Sequence, residues 1–358
     1  MTSLIIPVKG RVRLTLSCLT SLKENDLRNL KEIIIVDNNS DHTTAKALEE
    51  FSWSKIKIVR TQKPLNFAES CNLGAKTASG DIIGFMNNDI TISEGWLETM
   101  LEAQSINGGV VGARLLYPDG RVQHGGEVLP LWGIPFIGGT GAPGDDLRYD
   151  GARERWAVIA ALMFVSRDLF ERVGGFDEGY IFGIEDVDFC LKVRGMGEKV
   201  VCVGSCRVTH HESGTLSGLP DKRRNEWLRL NMEKFTARWS ELIERLTARY
   251  VENLKKSGVN RVALHGTGAA GLRSLEILQK GEVMVTAFLD SGAGRKSKSL
   301  KGIPIINIED ALNDADCILI ATQSQWEVEK RLKSFGLETM TRDIELADTG
   351  WKPGDYIA

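Results

Sequence analysis

The sequence lacks the features that mark secreted, disulfide-stapled or membrane-spanning proteins. It has six cysteines but no C-x-x-C pair, so neither structural zinc nor a disulfide framework is expected and a reducing compartment is indicated. The longest apolar run, Trp156 to Val165, is far below the roughly 20 residues that a spanning helix needs. Met1-Thr2-Ser3 runs directly into a strand pattern, without the basic region and cleavage site of a signal peptide. Together these absences predict a cytoplasmic protein.

The sequence also lacks a large excess of positive or of negative charge. The sequence has 45 Lys and Arg residues against 48 Asp and Glu, a formal net charge of −3. A dedicated nucleic-acid partner is not expected, because phosphate contacts require a basic surplus. The 358 residues are 42% hydrophobic and 26% charged, as in ordinary globular proteins. At roughly 100–200 residues per domain, this length predicts two domains.

Short apolar runs alternate with helical patterns in the first third of the chain. This alternation predicts βαβ units and a doubly wound α/β domain. The predicted strands are Ser3–Val8, Glu32–Asp37, Lys57–Arg60 and Asp81–Met86. The region from Gly108 to Asp150 is rich in glycine and proline and predicts long loops around two strands, and the apolar run Ala157–Val165 predicts a further buried strand.

The second half begins with a helical pattern and then returns to an α/β rhythm. We predict a first domain over residues 1–220, a helical connector over 221–257, a Rossmann-like domain over 258–346 and a tail over 347–358. The connector has a basic group, which fits either a solvated helix face or a peripheral contact with an anionic membrane surface. Its members are Lys222, Arg223, Arg224 and Arg229.

Polar residues follow three of the predicted strands at their carboxyl ends, where open α/β sheets bind ligands. The first strand ends in Pro7-Val8-Lys9, the second in Asp37, and the fourth in Asn87-Asn88-Asp89. Asp37 could accept hydrogen bonds from a base or a ribose. Asp89 could bind a divalent cation that in turn holds a diphosphate. A single carboxylate in such a place is more often a cap or a turn former, but three strand ends together indicate a site.

Two further clusters have chemical potential. Glu185, Asp186 and Asp188 lie within four positions, which indicates an acidic helix start, a general base facing a cleft, or both. The pair His210-His211 follows a strand pattern. A lone histidine is usually structural, but a pair at a strand end suits metal ligation.

Taken in order, these motifs resemble those of the family 2 glycosyltransferases with the GT-A fold, particularly the rhamnosyltransferase-like branch of bacterial polysaccharide synthesis. The resemblance covers roughly residues 2 to 240. It rests on the segments SLIIPVKG, EIIIVDNNSDHTT, NFAESCNLGAKTASGDIIGFMNNDI, VGGFDEGYIFGIEDVDFCLKVRGMG and VTHHESGT.

The resemblance implies an inverting, metal-dependent transfer of a sugar from a UDP- or dTDP-sugar to a hydroxyl of a saccharide or lipid-linked glycan, with Mn²⁺ or Mg²⁺ as cofactor. It also implies positions that bind the donor. These are Pro7, Val8 and Lys9 around the base, Asp37 at base or ribose, Asn72 at the nucleotide edge, and Asn88 and Asp89 at the diphosphate.

The same resemblance implies the catalytic and metal-binding residues. Asn87-Asn88-Asp89 takes the place of the D-x-D motif, with Asp89 as its metal carboxylate. Asp186 would be the base and Glu185 the alternative. His210 would be the second metal ligand and His211 its competitor.

The second domain has a glycine motif of its own. Gly266-x-Gly268-x-x-Gly271 follows a predicted strand and opens a helix, and Asp290 comes about 20 residues later, which is the context of a dinucleotide fingerprint. The domain is similar to the small Rossmann-like nucleotide-binding domain at the front of some sugar O-acyltransferases. A scaffold that keeps the loop without a ligand and joins copies of the chain into a homo-oligomer is the alternative.

Two other functions stay open at this point. A nucleotidyltransferase also combines a Rossmann-like sheet with a metal, but it normally opens with a Gly-rich basic loop, and PVKGRVRL contains one glycine. A non-catalytic nucleotide-sugar-binding assembly protein would have no need of the acidic cluster at Glu185–Asp188.

Overall fold

The computed structural model describes residues 1–25, 27–134, 136–181, 183–211, 221–290, 299–308, 315–322 and 325–334. Two compact units divide this chain. The first comprises Met1–Glu127 and Ala142–Arg238, and the second comprises Val128–Gly141 together with the described residues from Trp239 onward. Val128–Gly141 therefore packs with the second unit, although it falls inside the predicted first domain of residues 1–220.

Strands and helices alternate along much of the chain. The strands are β1 (Thr2–Val8), β2 (Leu30–Asp37), β3 (Ile56–Arg60), β4 (Ile82–Met86), β5 (Ile90–Thr91), β6 (Val110–Leu116), β7 (Val122–His124), β8 (Glu127–Val128), β9 (Phe136–Ile137), β10 (Ala152–Glu154), β11 (Leu162–Ser166), β12 (Val200–His210), β13 (Arg261–His265), β14 (Met284–Leu289), β15 (Ser299–Leu300), β16 (Ile303–Ile306) and β17 (Cys317–Ile320). The α-helices are α1 (Val12–Lys23), α2 (His42–Glu50), α3 (Phe67–Thr77), α4 (Trp96–Asn107), α5 (Arg167–Val173), α6 (Glu185–Gly195), α7 (Asp221–Lys256), α8 (Ala269–Lys280) and α9 (Gln325–Ser334).

The first unit is built on one mixed sheet. Its strand order is β10-β12-β6-β11-β4-β1-β2-β3, with β5 paired to β12 and β7 paired to β6. β1 to β4 run parallel, and β12 runs parallel to β6. β11 lies antiparallel between β4 and β6. This mainly parallel sheet confirms the predicted α/β class and brings the ends of β1, β2 and β4 to one edge.

Local sequence signals position the helices that follow these strands. Asp41 caps α2 through its side chain, which accepts from the backbone N–H of Thr44 at 3.0 Å. Asn66 and Glu69 form a reciprocal capping box at the start of α3, with distances of 2.8 and 2.6 Å. Such caps stabilise a helix by about 1 kcal/mol, because they satisfy N–H groups that have no partner inside the helix.

A cluster of phenylalanines fixes the helix that holds the acidic motif. The four rings are buried, and their contacting centroids lie 4.9 to 5.4 Å apart. They belong to Phe85 of β4, Phe170 of α5, Phe176 in the loop before α6, and Phe189 of α6. Each ring contributes about 1.5–3 kcal/mol by leaving water. The start of α6 is therefore held firmly against the sheet.

The apolar run Ala157–Val165 is not one strand as predicted. Only Leu162–Ser166 joins the sheet, while Trp156, Ile159 and Ala160 give their N–H groups to partners outside a ladder. Trp156 donates to the backbone oxygen of Glu127, and Ile159 donates to Nε2 of His124. The strand-like composition therefore gave an isolated bridge between Ala157 and Glu127, followed by hydrogen bonds to side chains, before β11 begins.

β12 is a single strand that passes through both Val200–Val203 and Arg207–Val208. Its parallel pairing with β6 is interrupted, since Val203 lies opposite Ala113 and the next paired residue, Arg207, lies opposite Arg114. The extra residues of β12 form a bulge. Beyond this bulge the strand continues to His210, which pairs with Ile90.

The second unit has a smaller sheet of its own, in the order β15-β16-β14-β13-β17. β13 runs parallel to both β14 and β17. Residues of β13 alternate between two apolar clusters, with Leu264 packing with Leu278 of α8 and Ala263 packing with Leu332 of α9. Helices thus cover both faces of this sheet, as the α/β pattern after Gly258 predicted.

The cysteines and the length and polarity of the helices bear on two of the sequence-based expectations. All six cysteines are free and buried, as small apolar core residues are. Within the described ranges, no helix combines the length and the apolar character that a membrane crossing requires.

Candidate active site

The ends of β1 and β2 meet as predicted. Val8 pairs with Asp37 across the two strands, and both are fully buried. The Asp37 carboxylate accepts from Nε of Arg60 at 2.7 Å and from the backbone N–H of Ser40 at 3.1 Å. Ser40 Oγ in turn accepts from the N–H of Gly10 at 3.0 Å. Asp37 therefore holds the two strand-end loops together, and Arg60 is a partner that the sequence did not reveal.

The remaining residues of the first strand end differ in exposure. Pro7 is partly buried, whereas Lys9 is exposed. An exposed lysine beside these loops leaves its ammonium group accessible to an anionic ligand. The arrangement fits the predicted donor contact.

The loop after β4 forms a polar centre with the end of β12. Oδ1 of Asp89 lies 3.1 Å from Nε2 of His210, and Nδ2 of Asn87 lies 3.3 Å from the same nitrogen. The side chains of Asp89 and His210 are 12% and 10% exposed. Two residues that are 121 positions apart in the chain therefore meet in a nearly buried position.

A third residue fixes the tautomer of His210. Oε1 of Gln123, on β7, lies 2.6 Å from Nδ1 of His210. A carbonyl oxygen only accepts, so Nδ1 carries the proton and the lone pair of the neutral ring lies on Nε2, toward Asp89. Metal-binding histidines are held in this way by a partner on the other ring nitrogen. The sequence analysis assigned no role to Gln123, because nothing in the run after Arg121 announces a contact with residue 210.

The donor set at this centre suits a divalent cation. A carboxylate oxygen and a neutral imidazole nitrogen 3.1 Å apart repel each other unless a proton or a metal ion lies between them. Two ligand atoms about 2.1 Å from one cation and at a right angle to each other are about 3 Å apart, so the observed spacing fits. In the described ranges, no group of three or more His, Cys, Asp or Glu side chains could hold a metal ion. Further ligands would have to come from water or a bound diphosphate.

His211 points to a different partner. Its Nε2 lies 2.9 Å from Oγ1 of Thr91, and its ring is at the surface. Its backbone N–H donates to the backbone oxygen of Asp89. Of the two histidines left open by the sequence, His210 is the one whose ring faces the Asp89 carboxylate.

Two residues for which donor contacts are predicted also have partners within the protein. Nδ2 of Asn88 donates to Oγ1 of Thr15 in α1 at 2.7 Å. The amide of Asn72 accepts from the N–H of Phe176 and donates to the oxygens of Phe176 and Glu178, at 2.9 to 3.0 Å. Asn88 thus ties the β4 loop to α1, and Asn72 ties α3 to the loop before α6, whereas the sequence predicted donor contacts for both.

Asp186 is presented as a hydrogen-bonded carboxylate at the start of α6. It is partly exposed, and its oxygens accept from the N–H groups of Ala160 and Val187 at 3.0 and 2.9 Å. Glu185 beside it is buried, and its Oε2 has no hydrogen bond within the described chain. Burial raises the pKa of both groups, and the two N–H donors lower the pKa of Asp186 in part. Backbone hydrogen bonds partly lower the pKa of Glu185 as well. The two acids differ in exposure, and Asp186 is the more accessible of the two.

A third carboxyl group, that of Glu127, lies near this pair, and the sequence analysis assigned no role to it. It is 5% exposed, and its Oε2 has no hydrogen-bond partner among the residues described. Burial and the charge of Asp186 raise the pKa of Glu127 to about 8. The backbone of Glu127 pairs with Ala157, three residues before the N–H that binds Asp186. The only sequence signal was a polar run, QHGGE, inside a region predicted to be loops.

The buried position of Glu127 gives a pH-dependent prediction. Its pKa is 4.5 in the free side chain and higher in the folded chain, so the folded state binds this proton more tightly. Stability is therefore retained below pH 4.5 and is lost as the pH rises toward about 8. Glu127→Gln stays neutral, so we expect it to match the wild type at low pH and to exceed its thermal midpoint at pH 9.

Thermal unfolding at pH 6 and pH 9 measures this difference. Glu171→Gln, at a side chain that is 67% exposed, is the matched control and should track the wild type at both pH values. Parallel pH profiles for Glu127→Gln and the wild type would show that Glu127 is ionised in the folded chain.

Asp188, the third acid of the motif, has a structural environment. It is fully buried and lies 2.8 to 2.9 Å from Nη1 of Arg238, 2.8 Å from Nζ of Lys192 and 3.2 Å from the Tyr180 hydroxyl. Two cations and a phenol surround one carboxylate, so no face of it is left for a substrate. Asp188 anchors α6 to the first turns of α7 that belong to this unit.

We expect Asp188→Asn to destabilise the first unit strongly. Breaking a buried ion pair costs about 3–5 kcal/mol, and the partial exposure of Arg238 and Lys192 places this case near the lower end. Urea unfolding measures the loss. Asp168→Asn is the control, because Asp168 forms its ion pair with Arg172 on the surface and should change stability by less than about 1 kcal/mol.

The glycine motif of the second unit lies at the carboxyl end of β13. Gly266 follows the strand directly, Gly268 caps α8, and Gly271 is buried in its first turn. Asp290 follows β14, where its Oδ2 accepts from Oγ1 of Thr267 at 3.4 Å. The motif and Asp290 therefore lie together, as the spacing predicted.

Comparisons with known proteins address the first unit. Residues 3–136 match the family model described as Glycosyl transferase family 2. An uncharacterized protein, y4gI of Sinorhizobium fredii, is 32% identical over 253 residues, which is 67% of this chain and 27% of that protein. The O-antigen biosynthesis protein RfbC of Myxococcus xanthus is 32% identical over 238 residues, 63% of this chain and 18% of that protein. The chain thus spans less than a third of either relative.

A solved structure adds a comparison of fold. GalNAc-T7, crystallised with UDP, GalNAc and Mn²⁺, aligns with a TM-score of 0.54 and 13% sequence identity, over 80% of this chain and 55% of that one. At this identity the likeness shows the fold, which is the GT-A architecture predicted from the motifs. The matched family model, the relative in O-antigen biosynthesis and this shared fold together support a family 2 glycosyltransferase domain in the first unit.

Proposed function

We propose that the protein is a metal-dependent, inverting glycosyltransferase that moves a sugar from a UDP- or dTDP-sugar to a hydroxyl group of a saccharide or lipid-linked glycan. The observation that supports this most directly is the pairing of Asp89 with a tautomer-fixed His210 at the sheet edge that also holds Asp37. The name of the RfbC relative, an O-antigen biosynthesis protein, supports a saccharide acceptor in a bacterial surface polysaccharide.

Asp89 and His210 would hold the cation, with Asn87 beside them. An imidazole nitrogen favours Mn²⁺ over Mg²⁺, which prefers oxygen ligands. When bound, the cation supplies Lewis-acid stabilisation of the negative charge that develops on the leaving diphosphate. The related fold of GalNAc-T7 was crystallised with UDP and Mn²⁺, which agrees with this choice.

Asp186 would remove the proton from the attacking hydroxyl group. Its carboxylate is oriented by the N–H groups of Ala160 and Val187, and it is partly exposed, whereas Glu185 and Asp188 are buried. Because it is the accessible carboxylate of the group, Asp186 is assigned the role of the base. Attack by the hydroxyl on the face opposite the leaving group inverts the anomeric carbon.

Donor recognition is assigned to the β1 and β2 loops. Pro7, Val8 and Lys9 would frame the base, and Asp37 would order this surface through Arg60 and Ser40. Asn72 and Asn88 would support the site through the protein contacts described above. A cytoplasmic location, a peripheral membrane contact through the basic group on α7 and a homo-oligomer formed by the second unit remain sequence-based predictions.

The test is an assay of nucleoside diphosphate release from a panel of UDP- and dTDP-sugars, with Mn²⁺ and saccharide acceptors. The proposal expects release that requires the donor, the cation and the acceptor together. Formation of pyrophosphate and a new nucleotide-sugar would instead identify a nucleotidyltransferase. Donor binding without turnover under any acceptor would identify an assembly protein.

A further inference from the structure

In the second unit the strand order reverses at β13, which has β14 on one side and β17 on the other. The chain passes from β13 to β14 on one side, and β17 pairs with β13 on the other side. In open parallel sheets the crevice at such a reversal, outside the carboxyl ends of the strands, is where ligands bind. His265 ends β13 at this reversal, opposite Leu289 on one side and Ile320 on the other.

Two of the three glycines are required by the protein itself. Gly266 has φ +122°, and a Cβ there would lie 2.5 Å from the backbone oxygen of Ala321. A Cβ on Gly271 would collide with the backbone oxygen of Gly266. These positions need glycine because the loop, β17 and α8 approach each other so closely.

Gly268 is different. Its φ is −83°, which any residue adopts, and a Cβ there would meet no atom of the described residues within 4 Å. The residue is exposed, and it caps α8 without a side-chain hydrogen bond. The fold therefore gives no reason for glycine at this position. A ligand that approaches the backbone closely would give one, since the N–H groups at a helix start attract phosphate.

An unpartnered buried side chain points to a ligand independently. His265 is 6% exposed, and neither of its ring nitrogens has a hydrogen bond to any residue that the structure describes. Leaving a buried donor or acceptor unpaired costs about 1–3 kcal/mol. The ring is near enough to Asp290 for their charges to interact, and it directly precedes Gly266. A bound polar molecule at this loop would satisfy the ring.

The surroundings complete a built site. Trp132 packs with Ala321, and Ala270 of α8 packs against this pair. This apolar cluster lies on the same loop junction as Gly266 and Ala321. An apolar wall beside a few polar groups is the usual lining of a nucleotide or cofactor pocket.

We propose that the second unit binds a nucleotide bearing a diphosphate, with the diphosphate at Gly268 and the first turn of α8, ribose hydroxyls at Asp290, and His265 as a buried hydrogen-bonding partner. This site is separate from the proposed transferase site and does not use its cation. A dinucleotide and a nucleoside diphosphate share the required chemistry, and the probes below separate them.

The experiment measures binding of NAD⁺, ADP and UDP to the full chain by calorimetry in the presence of EDTA, which removes cation-dependent binding. At least one probe should bind, and its affinity should persist in Asp89→Ala. Gly268→Ala should weaken it by tenfold or more without lowering the thermal midpoint of the free protein, because its Cβ meets open space. Glu276→Ala, at an exposed position further along α8, is the matched control and should bind normally.

A second variant tests the histidine. His265→Leu removes two unsatisfied ring nitrogens at similar volume, so we expect an equal or higher thermal midpoint together with weaker binding. Absence of binding for all three probes in EDTA, or equal affinity for Gly268→Ala and the wild type, would overturn the proposal. Because EDTA and Asp89→Ala inactivate only the first site, failure of the proposed transferase leaves this result unaffected.

Discussion

Asp186→Asn should lower sugar transfer by about 10²–10⁴-fold, which is the usual contribution of a positioned base. Asparagine can accept from only one of the two N–H groups that hold Asp186, and it cannot take a proton from the acceptor. Cation-dependent donor binding should change little, because that binding is assigned to Asp89 and His210. Nucleoside diphosphate release under single-turnover conditions, together with calorimetric donor binding, measures both quantities.

Glu185→Gln is the matched control for this substitution. Glu185 is buried and burial raises its pKa, so we expect a neutral glutamine there to preserve most of the activity. The wild-type rate should rise with pH as the raised pKa of Asp186 is passed. Full transfer by Asp186→Asn combined with an inactive Glu185→Gln would mean that Glu185, and not Asp186, is the base.

Asp89→Ala and His210→Ala should each weaken Mn²⁺-dependent nucleotide binding by about 100-fold or more. Each removes one of the two proposed ligands, whose atoms face each other at 3.1 Å. Gln123→Leu leaves both ligands but releases the tautomer of His210, and a loss of about 10–100-fold is expected for such an outer partner. Titration of Mn²⁺ and UDP by calorimetry ranks the three variants.

His211→Ala provides the internal standard, since the neighbouring ring contacts Thr91 at the surface. Its binding should stay within about threefold of the wild type, which is less than 1 kcal/mol. A loss equal to that of His210→Ala would mean that the cation uses the other histidine. Unchanged binding in both Asp89→Ala and His210→Ala would contradict a metal centre at this edge of the sheet.

Much of the fold could be predicted because its signals are local. β1 to β4 follow β-branched runs, and α2 and α3 begin at side-chain caps. The strand-end clusters at Asp37 and Asp89 could also be found, because parallel strands place their carboxyl ends together. These features depend on the pattern within a few residues.

The parts that escaped prediction depend on contacts between distant residues. Gln123 and Glu127 are short polar interruptions in a glycine-rich stretch, and their importance comes from His210 and Asp186. The amide of Asn72 lies 104 positions from its partner Phe176. Residues 156–161 have strand composition, but Ala157 forms an isolated bridge with Glu127, and Ile159 and Ala160 donate to side chains. No local pattern specifies such pairings.

The bulge between Val203 and Arg207 affects which of two imidazoles, that of His210 or that of His211, lies at the sheet edge. Side chains along a strand alternate between its faces, so the parity of the residues inserted there determines the orientation of everything that follows. A slip of the segment after the bulge by one residue against β6 would put His211 in the place of His210, facing Asp89. Because residues 210 and 211 are both histidines, an imidazole would still face Asp89 after such a slip.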